Sequence, residues 1–197
     1  MNLRLFRYLM KHRPSQNMPE WRTFLEICEM HLKKHKIKNP IVVELGMWKN
    51  RQKKFYEQLL GAHHISIDIS DKRGMPDILG DTHKSATVEA LKKKLNGRPI
   101  NILFIDACHR YGAVKKDLEL YSPLCSDIIA FHDIETHRHR EKSKVTVWKF
   151  WDELKLEAFR GVEKYKEFLL LSIYQHRPAR RLNKEATQMG IGVIMKR

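Results

Sequence analysis

The sequence predicts an α/β protein built on a mostly parallel sheet with helices on both faces. Three observations carry this expectation. Short apolar, β-branched runs alternate with amphipathic helical stretches along the chain, the pattern of a parallel sheet covered on both sides. Two of the runs, INILFIDAC (100–108) and DIIAFHDI (127–134), read as strands buried on both faces. Their polar chemistry gathers at the carboxyl ends, with Asp106 and His109 after one and His132 and Asp133 closing the other. Open α/β sheets bind ligands just beyond those ends.

The elements follow in order. Residues 1–18 read as a basic lead-in. Pro19 and Glu20 suit the first turn of a helix, and Trp21, Phe24, Leu25, Cys28 and Leu32 fall on one helical face. Asn39-Pro40 stops it. Strand one is 41–45. A helix at about 51–60 closes at Gly61, and strand two is 64–69. A loop over 70–83, with Gly74, Pro76 and Gly80, contains a short strand near 77–79. A lysine-rich helix spans 84–95 and ends at Asn96-Gly97. Strand four is 100–105, a helix covers 113–120 up to Pro123, and strand five is 127–131. The charged loop ETHRHREKSK leads to a helix carrying Val147, Trp148, Trp151 and Leu154. Strands at 168–174 and 190–195 finish the chain.

The 197 residues suffice for one domain with a full core. The expected division is a basic N-terminal segment and helix at 1–40 packed on a domain at 41–197. No apolar run approaches the ~20 residues of a membrane span. The basic start lacks the long apolar centre of a signal peptide. Three widely spaced cysteines without a CxxC fit reduced thiols, hence a cytoplasmic protein and no thiolate zinc site. The 38 Lys and Arg against 23 Asp and Glu give a formal charge of +15. Such an excess points to an anionic substrate or nucleic acid. It is spread along the chain without a block of five like charges, which equally suits a soluble protein of basic composition. A homo-oligomer is compatible with all of this.

Several residues could carry chemistry. Gly46 after strand one lets the backbone approach a nucleotide-like ligand. GMWKN holds neither a Walker lysine-serine pair nor GxGxxG. Asp68, ending strand two, stands where an acid pairs with ribose hydroxyls. Asp81 in GDTH could reach an adenine or a ribose, or else cap the helix that follows. Asp106 and Asp133 end neighbouring strands and could share a hard divalent cation. His109, three residues past Asp106, could stand beside that metal as a general base. For His132 a satisfied buried histidine is the competing reading. His137 and His139 read as a solvated loop before a metal site.

The residues now resemble class I S-adenosylmethionine-dependent methyltransferases. VVELGMWKN resembles the family's first motif, an acid and a glycine after strand one. FIDACHRYGAVKKDLELYSPL and IIAFHDI resemble the branch of cephalosporin hydroxylase-like proteins and macrolide-sugar O-methyltransferases. Asp106, His109, Tyr111, Val114, Asp117, His132 and Asp133 fall at its motif positions. The resemblance implies a single-domain Rossmann-like methyltransferase fold, a seven-stranded mostly parallel sheet with an antiparallel last strand. It implies that Glu44, Gly46, Trp48, Asp68, Asp81 and Asp106 hold S-adenosylmethionine. Asp106, His132 and Asp133 would hold Mg²⁺ or another divalent cation, with His109 as the base. Trp48 and Asn50 replace usual glycines of the first motif, and His132 stands where the sugar enzymes tend to carry a glutamate. The implied reaction is methylation of a hydroxyl on a sugar, glycan or other small polar acceptor. The alternatives are an RNA methyltransferase, or a non-catalytic basic binding module on a degenerate methyltransferase fold.

Overall fold

The computed structural model describes residues 1–12, 14–138, 140, 142–163, 166–174 and 189–196. Helices α1 (Leu3–Met10) and α2 (Met18–Lys34) precede β1 (Ile41–Leu45), α3 (Lys53–Leu60), β2 (His63–Asp68) and β3 (Ile78–Leu79). Then come α4 (Ser85–Leu95), β4 (Ile100–Ile105), α5 (Tyr111–Tyr121), β5 (Cys125–His132), α6 (Val147–Phe159), β6 (Phe168–Ile173) and β7 (Ile191–Lys196). The sheet order is β3-β2-β1-β4-β5-β7-β6. The first five strands run parallel, and β7 lies antiparallel to both β5 and β6. The fold class read from the sequence is therefore the observed one, a seven-stranded Rossmann-like sheet. The strand order reverses between the parallel neighbours β1 and β4, the switch point where such folds open a crevice.

Period-two alternation sorts the strand residues onto two cores. Ile41, Val43 and Leu45 of β1 join the core beneath α4, α5 and α6. Val42 joins the core beneath α1, α2 and α3. In that second core Trp21 packs edge-on against Tyr56 and Phe104, with ring centroids 5.5 and 5.6 Å away. Each such buried aromatic contributes about 1.5–3 kcal/mol through removal from water. On the opposite face Trp151 of α6 lies over Gly192 of β7, where an added Cβ would come within 2.8 Å of the indole ring.

Two elements differ from the sequence reading. The lead-in is helical over Leu3–Met10. The Asn2 side chain accepts a bond from Leu5 N at 3.0 Å and caps it. Phe6 and Leu9, one turn apart, are buried by it. Strand β5 also begins two residues early, at Cys125, with a register irregularity against β4 between Ile100 and Ile102. Elsewhere the breakers act as expected. Gly61 (φ 61°) and Asn96 (φ 49°) end α3 and α4 in the left-handed conformation.

Candidate active site

A cavity of about 670 Å³ opens over the carboxyl ends of β1, β2, β4 and β5, a size suited to a cofactor and a small substrate. Gly46 forms its floor. Its φ is +86°, and a Cβ there would lie 2.3 Å from the Asp106 carbonyl oxygen. No larger residue fits this crossing of β1 and β4. Gly46 N donates to Ile67 O and Asp106 N to Leu45 O, both at 2.8 Å, so the turn is bonded on each side.

Four side chains converge on one wall. Asp106 Oδ1 lies 3.1 Å from His109 Nε2 and 2.9 Å from His132 Nδ1. The other ring nitrogen of His109 is 2.8 Å from Asp133 Oδ2. Asp133 Oδ1 accepts from the Thr136 hydroxyl at 2.6 Å. Asp133 itself has φ +63° at the exit of β5, a conformation uncommon for a non-glycine residue. His109 is fixed from the backbone, its carbonyl accepting from Thr146 N at 2.7 Å.

The electrostatics follow from this packing. Burial works against the His109 imidazolium, but hydrogen bonds to Asp106 and Asp133 outweigh it and push the ring up to about 10. Burial likewise opposes a charged His132, and the Asp106 charge overcomes it and raises the ring. Burial would raise Asp133, yet the His109 bond and the His132 charge hold it near about 2. Asp106 is lowered too, its burial outweighed by His132 and His109. The two carboxylates thus favour the charged form of both imidazoles, and the imidazoles favour the ionised carboxylates. A divalent cation can take over the same charge. One ligand atom each from Asp106, His109 and His132 lies within 4.8 Å of the others. The two imidazoles of this set suit a transition ion, whereas Mg²⁺ would rest on carboxylate oxygen and water.

The other expected residues divide. Asp68 lines the cavity, with Oδ2 accepting from Trp48 N at 3.2 Å and Oδ1 from Ser70 N at 3.0 Å. Trp48 is half-exposed on the rim, and the Arg73 guanidinium stacks on its ring at 3.3 Å. Asp81 lines the cavity and accepts from His83 N at 2.9 Å. The N-cap position of α4 belongs to Lys84, so Asp81 turns the loop and does not cap the helix. Glu44 stands apart from the cavity wall. It is fully buried on the α2–α3 side, 2.9 Å from His64 Nε2. Burial raises its carboxyl, only partly offset by His64. His137 bonds Ser143 at 2.9 Å, and His139 lies outside the described residues.

Sequence reasoning missed Ser15, His83 and Met189, which line the cavity, and Gln16, whose amide donates to Asp106 Oδ2 at 3.3 Å. No local pattern marks Gln16, which is ninety positions from its partner. His83 could have been found from its place beside Asp81.

A family profile described as "Methyltransferase domain" matches residues 33–134. The chain belongs to this methyltransferase family. In fold it is like methyltransferases solved with SAM or SAH. No curated protein matches it. Among solved structures it is similar to the MycE methyltransferase of the mycinamycin pathway, in complex with Mg, SAH and mycinamycin VI (TM-score 0.58, 13% identity). That alignment covers 87% of this chain and 48% of MycE, so the chain spans about half of that protein. It is also similar to the plantazolicin methyltransferase BpumL in complex with SAH (TM-score 0.52, 14% identity, 97% and 90% covered). A third is the O-methyltransferase TomG from Streptomyces achromogenes in complex with SAM (TM-score 0.55, 7% identity, 87% and 88% covered). Among the described residues no helix is long and apolar enough to cross a membrane.

Proposed function

We propose that this methyltransferase moves the methyl group of S-adenosylmethionine onto a hydroxyl oxygen of a sugar or other small polar acceptor. The observation that carries the reading is the Asp106–His109–His132–Asp133 cluster on the cavity wall. The sulfonium methyl is already electrophilic. The chain must align acceptor oxygen and methyl carbon and remove the hydroxyl proton. In this reading Asp68 holds the ribose hydroxyls, Gly46 and Asp106 face the methionine part, and Trp48 and Asp81 border the nucleoside; all five line the cavity. Residues 1–40 act as an N-terminal segment closing the cavity, since Ser15 lines it and Gln16 reaches Asp106. Glu44 supports this end from behind, through the strand it shares with the Gly46 turn. The three free cysteines suit a cytoplasmic enzyme.

His109 is the proposed base, and its resting state sets a condition on that role. With both ring nitrogens on carboxylates it holds a proton at neutral pH. Drawing either carboxylate away from the ring returns it toward the ordinary histidine range, about 6.5. A divalent cation bound by Asp106, His132 and Asp133 would polarise the acceptor hydroxyl. The chain's own part is to orient His109 from Thr146 and to keep Asp133 on the Thr136 hydroxyl.

Release of S-adenosylhomocysteine, measured against glycans, phenols and RNAs with Mg²⁺, Mn²⁺ or chelator, tests the reading. Hydroxyl-bearing small molecules are expected to turn over. RNA as the sole acceptor would favour the nucleic-acid alternative that the charge of +15 raises. His109→Ala is expected to keep S-adenosylhomocysteine affinity and lose roughly 10²–10⁴-fold in turnover. Retained turnover would remove His109 as the base, and full activity in excess chelator would remove the metal.

A further inference from the structure

The cavity lies over the carboxyl ends of the parallel strands, and the opposite end of the molecule is strongly basic. At the amino ends of the strands the sheet carries a row of exposed cations. Lys38 precedes β1, and Arg98 precedes β4 and donates to Asn39 O at 2.6 Å. Met195 pairs with Ile128 and Lys196 with Phe168, so β7 ends and β6 begins at this same edge. Lys196 and Lys166 therefore continue the row, on strands about 4.8 Å apart. Exposed lysines flank it from both faces of the sheet. Lys33, Lys34 and Lys36 stand at the end of α2, and Lys92, Lys93 and Lys94 at the end of α4. A helix dipole favours a cation in the last turn, which accounts for part of these two sets. Lys38, Lys166 and Lys196 serve no helix end. Of the acids here, Glu29, Glu89 and Glu163 are paired with Lys33, Lys92 and Lys166, while Glu119 and Glu167 stand outside such pairs.

Two apolar features share this end. Helix α6 starts beside the site, where Thr146 N donates to the His109 carbonyl. Its 13 residues then run about 20 Å, the depth of the sheet, down to Phe159. The Phe159 ring is 90% exposed, and Arg160 and Val162 beside it are exposed as well. Exposed apolar surface rimmed by polar groups marks an interaction site. The second feature is a groove of about 390 Å³ between the ends of α2 and α3. It is lined by Leu32, Leu59 and Leu60, which are buried or half-buried, and by the exposed Lys33, Lys36 and Lys38. Such a groove offers apolar surface and positive charge together.

We propose that this end is a docking surface for an anionic lipid membrane, holding the protein with its cavity turned to the water. A bilayer supplies both halves of the match. Its acidic head groups face the lysines, and the apolar layer beneath them receives Phe159 and fills the groove. Nucleic-acid recognition favours arginine, whose planar fork meets phosphates and base edges in pairs of bonds. Lysine prevails on this surface, and Arg98 already donates to Asn39 O. Among the described residues no helix can cross a membrane, so the attachment is peripheral and reversible. The surface is independent of the catalytic reading, since none of its residues lines the cavity.

Co-sedimentation with phosphatidylcholine vesicles, with and without phosphatidylserine, is the test. Wild-type protein is expected to bind the phosphatidylserine vesicles at low salt and to leave them at high salt, where the charges are screened. Lys34→Gln, Lys36→Gln and Lys38→Gln together should weaken binding on the order of a hundredfold, at about fivefold per lysine. The same change of charge at the cavity end, Lys49→Gln, Lys54→Gln and Lys72→Gln, lies more than a Debye length from the lipid and should weaken it less than about threefold. Phe159→Ala should weaken binding roughly three- to tenfold and leave its salt dependence unchanged. All seven side chains are exposed or at the helix surface, so the variants are expected to melt with the wild type. Equal losses in the two triple variants would assign binding to net charge and overturn the proposal. So would absence of binding to phosphatidylserine vesicles, or an RNA oligonucleotide held by the same lysines while the vesicles stay free. A Phe159→Ala variant that binds as tightly as wild type removes the apolar contact, and with it the choice of lipid as the partner.

Discussion

Asp77 shows how one residue outside the cavity keeps it in shape. Its Oδ2 accepts from Ser66 N at 2.9 Å and from the Ser66 hydroxyl at 2.8 Å, while its own N donates to Ser66 Oγ at 3.1 Å. These bonds tie the loop after Asp68 back to β2. Burial opposes the Asp77 charge, but the Ser66 bonds outweigh it and lower the carboxyl. A lowered pKa means that the folded protein binds this proton less readily than the unfolded chain. The contribution to stability is present above the unfolded value and is lost as pH falls through the folded one. Asp77→Asn is therefore expected to melt lower than wild type at pH 7, with the gap closing below about pH 4. Thermal melts across pH read this directly, and a gap that persists at low pH would assign the effect to packing. At the same scale, Glu44 was legible in part. It is out of phase with Val43 and Leu45, so the strand turns it away from their face. The sequence marks that face but not His64, the partner waiting on it.

At the scale of elements, the apolar runs were the most legible part. A parallel strand buried on both faces has to be apolar throughout, so its limits show in the composition alone. The terminal pair was less legible. Strand β7 sits between β5 and β6, antiparallel to each. Its place depends on Gly192, which alone leaves room for Trp151 above it. The Trp151 indole N–H donates to Ser172 Oγ on β6 at 2.8 Å, so one side chain joins α6, β7 and β6. Trp151→Ala is expected to cost about 3–5 kcal/mol, the usual range for removing a buried tryptophan. Urea denaturation gives the number. A loss under about 1 kcal/mol would show that α6 packs independently of this edge.

For the whole molecule, the net charge of +15 leaves two kinds of protein in view, an enzyme for small acceptors and a basic binding module. Ligand linkage separates them. If the cavity takes the cofactor product, S-adenosylhomocysteine at a hundredfold excess over its Kd stabilises the folded state by about 2.7 kcal/mol. For a chain of this size that raises the melting temperature by about 5–10 °C. A basic module without the cofactor site would show no shift, while nucleic acid would shift it in a salt-dependent way.

The sequence alone determined the strands, their alternation with helices and the acids and histidines at their carboxyl ends. Each of these is a local pattern, written within one run of ten residues or so. The resemblance to class I methyltransferases rested on those same local patterns. Tertiary structure decided which side chains meet. Gln16 reaches Asp106 across ninety positions, His83 in the turn before α4 comes within 3.2 Å of Asp117 on α5, and Met189 arrives at the cavity from the far end of the chain. It also decided that both nitrogens of His109 face carboxylates, which changes the charge that the ring carries. The physical reason is the same in each case. Periodicity tells which way a residue faces, but its partner there is set by how the sheet orders and twists its strands.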